Sequence, residues 1–496
     1  MSFSRMMAIG LALVISLLTL SSYRSHIFAL HFVDEDDNIV IGNYLREGKK
    51  LYSEVFSQHQ PSMFVMSAAL QNTFSVDNIL MVIKRHREFM IGWSILWFLI
   101  LTARFGWPLL LAGMVIEIVK ITLLGNLYLA ESLVIYPLLY LVAHLFLASY
   151  RVQLAEKVFL SMIFWLLWFS LTPLWPVLLL ISLLMGYKVF GDKQFLSIFL
   201  VLGLISLTAL MQITTLHDYL YNALYINYKY YIPLTTPVGF FESIIKAFFA
   251  PLYAIFSPKS GELLMLTRIL SLGLVFNLIA LVVHKQIFKA VAIFIILGLT
   301  SLRYIDPSGT LYGVFHMLPW FVLLILFNFL TFTKLRLHHI GIWILVVLAS
   351  LQVANINLFD YRDPSTDFYV HFSPSSDIRE AVKIISQSSP QTIWVEPVMY
   401  YPHWRSGATP YLSLINYYGW MDKTGPMKAD LVAQLNRELP TLIWAETTQG
   451  IGPYLGQYAP VLREGKPSGL YLRSDQVKLL TPEIRSNLMY YRFEIN

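Results

Sequence analysis

Cysteine is absent from all 496 residues, which excludes disulfides, thiolate zinc sites, iron–sulfur centres and thiol catalysis together. Charge is scarce too: only 13% of residues are Asp, Glu, Lys or Arg, against roughly a quarter in soluble domains. There is no Gly-rich phosphate loop, no low-complexity tract and no repeat with a period of roughly 20–50 residues, so nothing supports a nucleotide site or a solenoid. A basic stripe interleaved with stacking aromatics is missing as well. The net charge of +6 comes from cations at the ends of apolar runs, where they set orientation, and nucleic acid is not an expected partner. What the chain has in abundance is apolar surface, with 56% hydrophobic and 15% aromatic residues. The expected class is an integral membrane protein with many spans.

Met6–Leu20 is apolar behind Arg5 and lacks an A-x-A cleavage site before Ser21-Ser22-Tyr23, so it reads as an uncleaved first helix with its N-terminus in the cytoplasm. Further apolar runs fall at about 88–104, 107–124, 132–149, 157–171, 173–190, 194–212, 264–283, 287–301, 311–332 and 339–355. Two other segments, 61–83 and 240–256, are too polar or too amphipathic and are expected to lie along the membrane surface. With both left out, Arg104, Arg151, Lys157, Lys188 and Lys193 fall on the cytoplasmic side. The fold expected is a polytopic α-helical membrane bundle of about eleven spans over residues 1–355. From about Ile356 strand-like runs (Thr392–Val395, Leu442–Trp444, Gly469–Leu472, Tyr490–Phe493) alternate with helical ones (Ser376–Ser386, Lys428–Glu438), with Ser376 and Asp377 as caps. Residues 356–496 therefore read as an α/β domain, which an odd number of spans places outside the cytoplasm.

The stretch Val33–Pro61 stands apart. Asp34, Glu35, Asp36 and Asp37 are consecutive acids directly after an apolar segment, within an outer loop spanning 31–87. Carboxylates avoid low dielectric unless water or a partner charge is present. Two readings remain open: a solvated loop where charge costs little, or a catalytic carboxylate facing the outer compartment. Other polar groups expected on that face are Glu131 between two helices, Arg303 with Tyr304 and Asp306, and His316. One carboxylate able to take a proton from a hydroxyl, with cations to hold a departing phosphate, suits group transfer onto an uncharged acceptor.

Asp34-Glu35, Asn43 to Gly48, Leu51-Tyr52, Glu54 and His59-Gln60-Pro61 resemble the first outer loop of the polyprenyl-phosphate-sugar glycosyltransferases. That C-type superfamily includes the protein O-mannosyltransferases and the lipid A aminoarabinose transferases. Glu131 in NLYLAESL is similar to the family's second acid, and RYIDPSGTLYGVFHMLP, with Arg303 and Pro319, to its late Arg and Pro-headed helix. The resemblance covers residues 1–355. Many members carry Lys-Pro-Pro or His-Pro-Pro where this chain has His59-Gln60-Pro61-Ser62, so a lysine contact to the donor phosphate does not carry over.

The resemblance implies an inverting transfer of a sugar from a polyprenyl-phosphate donor to a lipid, glycan or protein acceptor, on the extracytoplasmic face of a multi-pass cell-membrane protein. Asp34 would be the general base, Glu35 would orient the loop, and Glu131 would position the acceptor or the loop. Arg303, Lys120, Arg85, Arg87 and His59 are candidate contacts to the donor phosphate, and Tyr52, Glu54 and His316 candidate positioning residues. Alternatives stand beside several of these. Lys120 could form a self-neutralising pair with Glu117, and Lys84, Arg85 and Arg87 could anchor lipid headgroups. No metal ligand set is identified, and a divalent cation stays compatible with the chemistry. A transporter or flippase is the rival reading, and would call for mid-helix charges and related halves.

Overall fold

A computed structural model describes residues 3–25, 27–28, 32–148, 153–189, 193–235, 240–300, 315–330, 368–396, 401–412, 420–445 and 452–495. Among these, five helices are long and apolar enough to cross a membrane: Phe3–Arg24, Ile79–Phe105, Ala130–Leu147, Lys193–Ile213 and Glu262–Val283. Three shorter apolar helices, Thr172–Met185, Ile287–Thr300 and Phe315–Leu330, accompany them. The expected run at 339–355 lies outside the described residues.

Helices α1 (Phe3–Ser25), α4 (Ile79–Phe105), α5 (Trp107–Val119) and α6 (Ala130–Leu147) pack on one another and share a core that includes Trp97, Leu101, Leu110, Val134 and Leu138. Between α1 and α4 the chain forms α2 (Val33–Arg46) and α3 (Ser62–Thr73). The acidic run is thus helical rather than a loop. Its carboxylates occupy the first turn of α2, where the unpaired backbone N–H groups favour negative charge. It is not solvated either, because Glu35, Asp36 and Asp37 are buried. The segment 61–83, expected to be one surface helix, is two pieces. α3 ends before Phe74, and Asn78 then caps α4 by accepting hydrogen bonds from the backbone N–H of Leu80 and Met81.

Helices α2 and α3 pack closely because Gly42 has no side chain. A Cβ there would lie 2.4 Å from both the Cβ and the Oγ of Ser67. Gly42→Ala is expected to wedge the two helices apart and lower stability by about 1–3 kcal/mol, the usual cost of overpacking. Thermal unfolding of the purified variant checks this, and an unchanged Tm would dismiss the tight contact.

After α7 (Leu154–Trp168), α8 (Trp175–Val189) and α9 (Lys193–Ile213), the tyrosine-rich stretch Leu220–Tyr231 winds as a π-helix. The segment 240–256, expected as one amphipathic helix, is broken by Pro251 into α10 (Phe240–Phe248) and α11 (Ala250–Phe256), each too short to span. α12 (Glu262–Val283), α13 (Ile287–Thr300) and α14 (Leu318–Leu330) complete the described bundle.

The C-terminal region is an α/β domain. Its sheet has the order β2-β1-β3-β5-β4-β6, formed by β1 (Thr392–Glu396), β2 (Thr409–Pro410), β3 (Leu442–Ala445), β4 (Tyr458–Arg463), β5 (Lys466–Arg473) and β6 (Phe493–Ile495). Pairing is parallel for β1 with β2 and β3, and antiparallel elsewhere. α15 (Phe368–Ile385) begins earlier than expected, so Ser376 and Asp377 are mid-helix and not caps; Asp377 pairs with Arg463 of β4. α16 is Gly425–Arg437, and α17 (Pro482–Tyr490) replaces the start of the strand expected at 490–493.

This domain docks on the acidic helix and its neighbours. Trp404 donates from its indole N–H to Gln71 Oε1 (2.9 Å), and Arg405 reaches Val76 O (2.5 Å) and Asn43 Oδ1 (3.4 Å). Lys383 pairs with Asp77 at 2.7 Å, beside Arg379, which donates to the Asp77 carbonyl at 3.1 Å. Tyr401 and Trp404 join Ile39, Val40, Tyr44 and Phe64 in one apolar cluster. The hydroxyl of Tyr401 has its pKa pushed well up by burial, with the charges of Asp36 and Glu35 adding to the effect.

Candidate functional site

A cavity of about 210 Å³ opens where α2, the 58–63 turn, the start of α6, the α7–α8 connection, the π-helix and the start of α14 meet. Asp34 and Glu131, 97 positions apart in the chain by their numbers, both line it, as do His59, His316 and Pro319. The remaining wall is mixed, with Asn38, Gln58, Gln60, Thr172 and Asn227 beside Met63, Leu129, Leu171 and Ile232. Few precisely placed polar groups on an otherwise apolar wall is the usual make-up of a small-ligand site.

The polar groups are held partly from behind the wall and partly by one another. Asp34 sits one residue before Glu35, whose carboxylate is fully buried and grips Arg87 through Nε (3.0 and 3.1 Å) and Nη2 (2.5 Å). Glu35 also accepts from the backbone N–H of Tyr128 at 3.0 Å, which ties α2 to the segment leading into Glu131. Asn38, one turn on from Asp34, donates to Tyr128 O at 3.1 Å. Glu131 in the first turn of α6 is hydrogen-bonded to His316 Nδ1 at 2.9 Å. The pair joins α6 to the turn before α14.

His59 is set by the connector that follows α2. Leu51 N–H donates to Ile213 O (2.8 Å) and Lys50 Nζ to Gln212 O (2.7 Å), anchoring the connector on the end of α9. Tyr52 has φ +70, a left-handed conformation unusual for an aromatic residue, and donates from its hydroxyl to His59 O at 2.8 Å. Gln60 donates to Thr172 Oγ1 (2.7 Å) and accepts from the Tyr219 hydroxyl (3.0 Å). Asn227 of the π-helix donates to Gln58 O at 2.5 Å.

Burial pushes the carboxyl of Asp34 above the usual carboxylate range; His59 and His316 pull it back, and the nearby Glu131 charge raises it. Asp34 thus feels both imidazoles and the second carboxylate across the cavity. Asp37, deeper on α2, is pushed well up by burial and by Asp34 and Asp36.

Several residues expected at the site lie elsewhere. Arg87 is 1% exposed and committed to Glu35 and to Ile27 O (2.9 Å), so it is not a contact for a substrate phosphate. Lys120 is buried and bonded to Glu117 at 2.7 Å, with the Tyr136 hydroxyl on the same carboxylate; the self-neutralising alternative holds and the phosphate role does not. Arg85 lies outside the cavity wall, paired with Glu88 at 2.8 Å and set over the Phe74 ring. Glu54 is on an exposed turn, accepting from Lys50 N–H at 2.7 Å and paired with Lys49, away from the cavity. Tyr52 and Glu35 act on the site from behind rather than lining it. Arg303 lies outside the described residues. Among the described residues, no group of three or more His, Asp or Glu converges to hold a metal ion.

Sequence reasoning missed the amide wall of Gln58, Gln60 and Asn227 and the contribution of the π-helix. Asn227 was visible within YLYNALYINYKYY, but no period in that stretch says which residue turns inward. Comparison with protein-family profiles and with curated proteins returns no match for the chain.

Proposed function

We propose that this protein is a membrane glycosyltransferase that moves a sugar from a polyprenyl-phosphate donor to a hydroxyl acceptor on the extracytoplasmic face, with inversion at the anomeric carbon. The observation that carries the reading is the meeting of Asp34 and Glu131 in one cavity at the end of an apolar bundle. In this reading the acceptor oxygen attacks the anomeric carbon as its proton passes to Asp34. The bond from that carbon to the phosphate oxygen breaks, and the polyprenyl phosphate departs with the electron pair. The oxocarbenium-like state and the phosphate's growing charge need fixed dipoles and cations around them. Gln58, Gln60 and Asn38 supply amide dipoles, and His59 is the basic side chain on the wall that is not bonded to Glu131. Glu131, steadied by His316, orients the acceptor from the opposite element. The contacts of the C-terminal domain with α2 and α3 support the reading that the acidic helix and that domain share one side of the membrane. The multi-pass arrangement of about eleven spans belongs to this proposal.

The test is to incubate the purified protein with a panel of polyprenyl-phosphate sugars and native membranes. Sugar moved to an acceptor with stoichiometric release of polyprenyl phosphate, and an inverted anomeric configuration in the product, is the expected result. Movement of intact donor between leaflets with no cleavage in any member of the panel would replace the enzyme with a flippase.

A further inference from the structure

The two faces of α2 meet different surroundings. Asp34 and Asn38, four residues apart and so on one face, line the cavity. Asp36, Val40 and Asn43 lie on the opposite face, because residues two apart are turned by about 200° around a helix. Against that second face the C-terminal domain sets Tyr401, Trp404 and Arg405. Tyr401 is 1% exposed and shares an apolar cluster with Val40, and its hydroxyl reaches the buried carboxylate of Asp36.

Trp404 makes the second attachment. It is fully buried, with the guanidinium groups of Arg379 and Arg405 each 5.1 Å from its ring. Held there, its indole N–H donates to Gln71 Oε1 at 2.9 Å. Gln71 passes the restraint on, donating to Ile39 O of α2 (2.8 Å) and to Ser67 Oγ (3.0 Å). Gln71 is itself buried, so these bonds are shielded from solvent. Asp36 and Ile39 are two and five positions after Asp34. The Asp34 carboxylate has no hydrogen-bond partner among the described residues, so its place at the cavity is set by the helix that carries it.

From this arrangement we infer that Tyr401 and Trp404 are positioning residues for the transfer: the C-terminal domain backs α2 and holds the Asp34 carboxylate where the acceptor hydroxyl must meet it. The inference rests on the glycosyl-transfer reading for the reaction it serves, whereas the hold on α2 does not. A proton acceptor works only when correctly placed, and a shift of about 1 Å costs up to roughly a hundredfold in rate. A domain that only adds stability would instead lower the folded fraction and leave the rate per folded molecule unchanged.

Tyr401→Phe deletes one hydroxyl, and Trp404→Phe keeps an aromatic ring while deleting the indole N–H. Transfer is measured on the full chain in lipid nanodiscs, with rates corrected for the folded fraction by thermal unfolding. Each variant should lower kcat by roughly tenfold or more with the donor KM unchanged. In the Asp34→Asn background the same changes should cost nothing further, because they act through that carboxylate. An equal fold loss in both backgrounds, or an unchanged kcat in Tyr401→Phe, overturns the inference. A second readout needs no transfer. The infrared carboxyl band of Asp34 is the one lost in Asp34→Asn. It should titrate at lower pH in Tyr401→Phe than in the wild type, because a loosened helix admits water to a group whose pKa burial raises. Glu131 of α6, His59 of the connector and His316 before α14 face that group in both proteins. An unmoved titration overturns the inference. If the wild type moves no sugar from any donor, the glycosyl-transfer reading fails by itself, and the infrared titration still decides whether the domain holds α2.

Discussion

Asp34→Asn should reduce the initial rate of sugar transfer by about 10²–10⁴-fold, the usual contribution of a positioned general base, equivalent to about 3–5 kcal/mol of barrier. The substitution keeps size and hydrogen-bonding reach, and α2 is fixed by its neighbours rather than by Asp34, so donor binding should survive. Glu35 bound to Arg87 and Tyr128, Asn38 bound to Tyr128, and Gly42 against Ser67 all hold the helix in place without it. The pH profile provides a second handle. Burial raises the Asp34 pKa above the ordinary carboxylate range, and only the deprotonated form accepts a proton. Transfer should therefore fall as pH drops through that raised pKa, at a pH above the roughly 4 of an unperturbed carboxyl. The acid limb should vanish in the Asn variant's residual rate. Undiminished transfer by Asp34→Asn would remove Asp34 as the base.

Arg87→Ala should be the most destabilising single change at the site, by about 3–5 kcal/mol, because it strands the Glu35 charge in a fully buried position. Three donor contacts from Arg87 to that carboxylate are lost together, as is the bond to Ile27 O that ties the turn after α1 to α4. Arg87→Lys keeps a charge but not the planar fork, so it should recover only part of the loss. A paired change, Arg87→Met with Glu35→Leu, leaves no unpaired charge and should be far milder than Arg87→Ala. Chemical or thermal unfolding in detergent checks the order of the three. Equal stability of Arg87→Ala and the double variant would show that the stranded charge is not the source of the cost.

The sequence displayed the long apolar helices well, because a run of apolar residues is its own signal in a chain with so few charges. The end of α4, the extent of α6 and the presence of strands at Thr392 and Leu442 followed directly, whereas α4 starts at Ile79, inside the segment expected to lie along the membrane surface. What misled was charge in a tertiary setting. For the four consecutive acids a solvated loop and a catalytic carboxylate both stayed open, and contacts to Glu35 from Arg87 and Tyr128, 52 and 93 positions away, help make the run a buried helix start. Arg87 stood as a candidate phosphate contact because its partner Glu35 is 52 positions away, whereas the Glu117 partner of Lys120, one turn off, was already open as an alternative. Glu131 and His316, by contrast, were picked out separately and are joined at 2.9 Å across 185 positions. The early start of α15 was hidden because Pro374 reads as a helix breaker, while the caps proposed at Ser376 and Asp377 fitted a local rule that the fold does not use.

The docking of Trp404 and Arg405 on Gln71 and Asn43 has a consequence for how the protein matures. Ribosomes make α2 first, yet the arginine that meets Asn43 is added 362 residues later. Until residues 401–405 are made, the acidic helix lacks Tyr401 and Trp404, which complete its apolar cluster, and the Tyr401 hydroxyl that reaches Asp36. A chain cut short before them would hold α2 without these contacts, so the final packing of the acidic helix waits on the C-terminal domain.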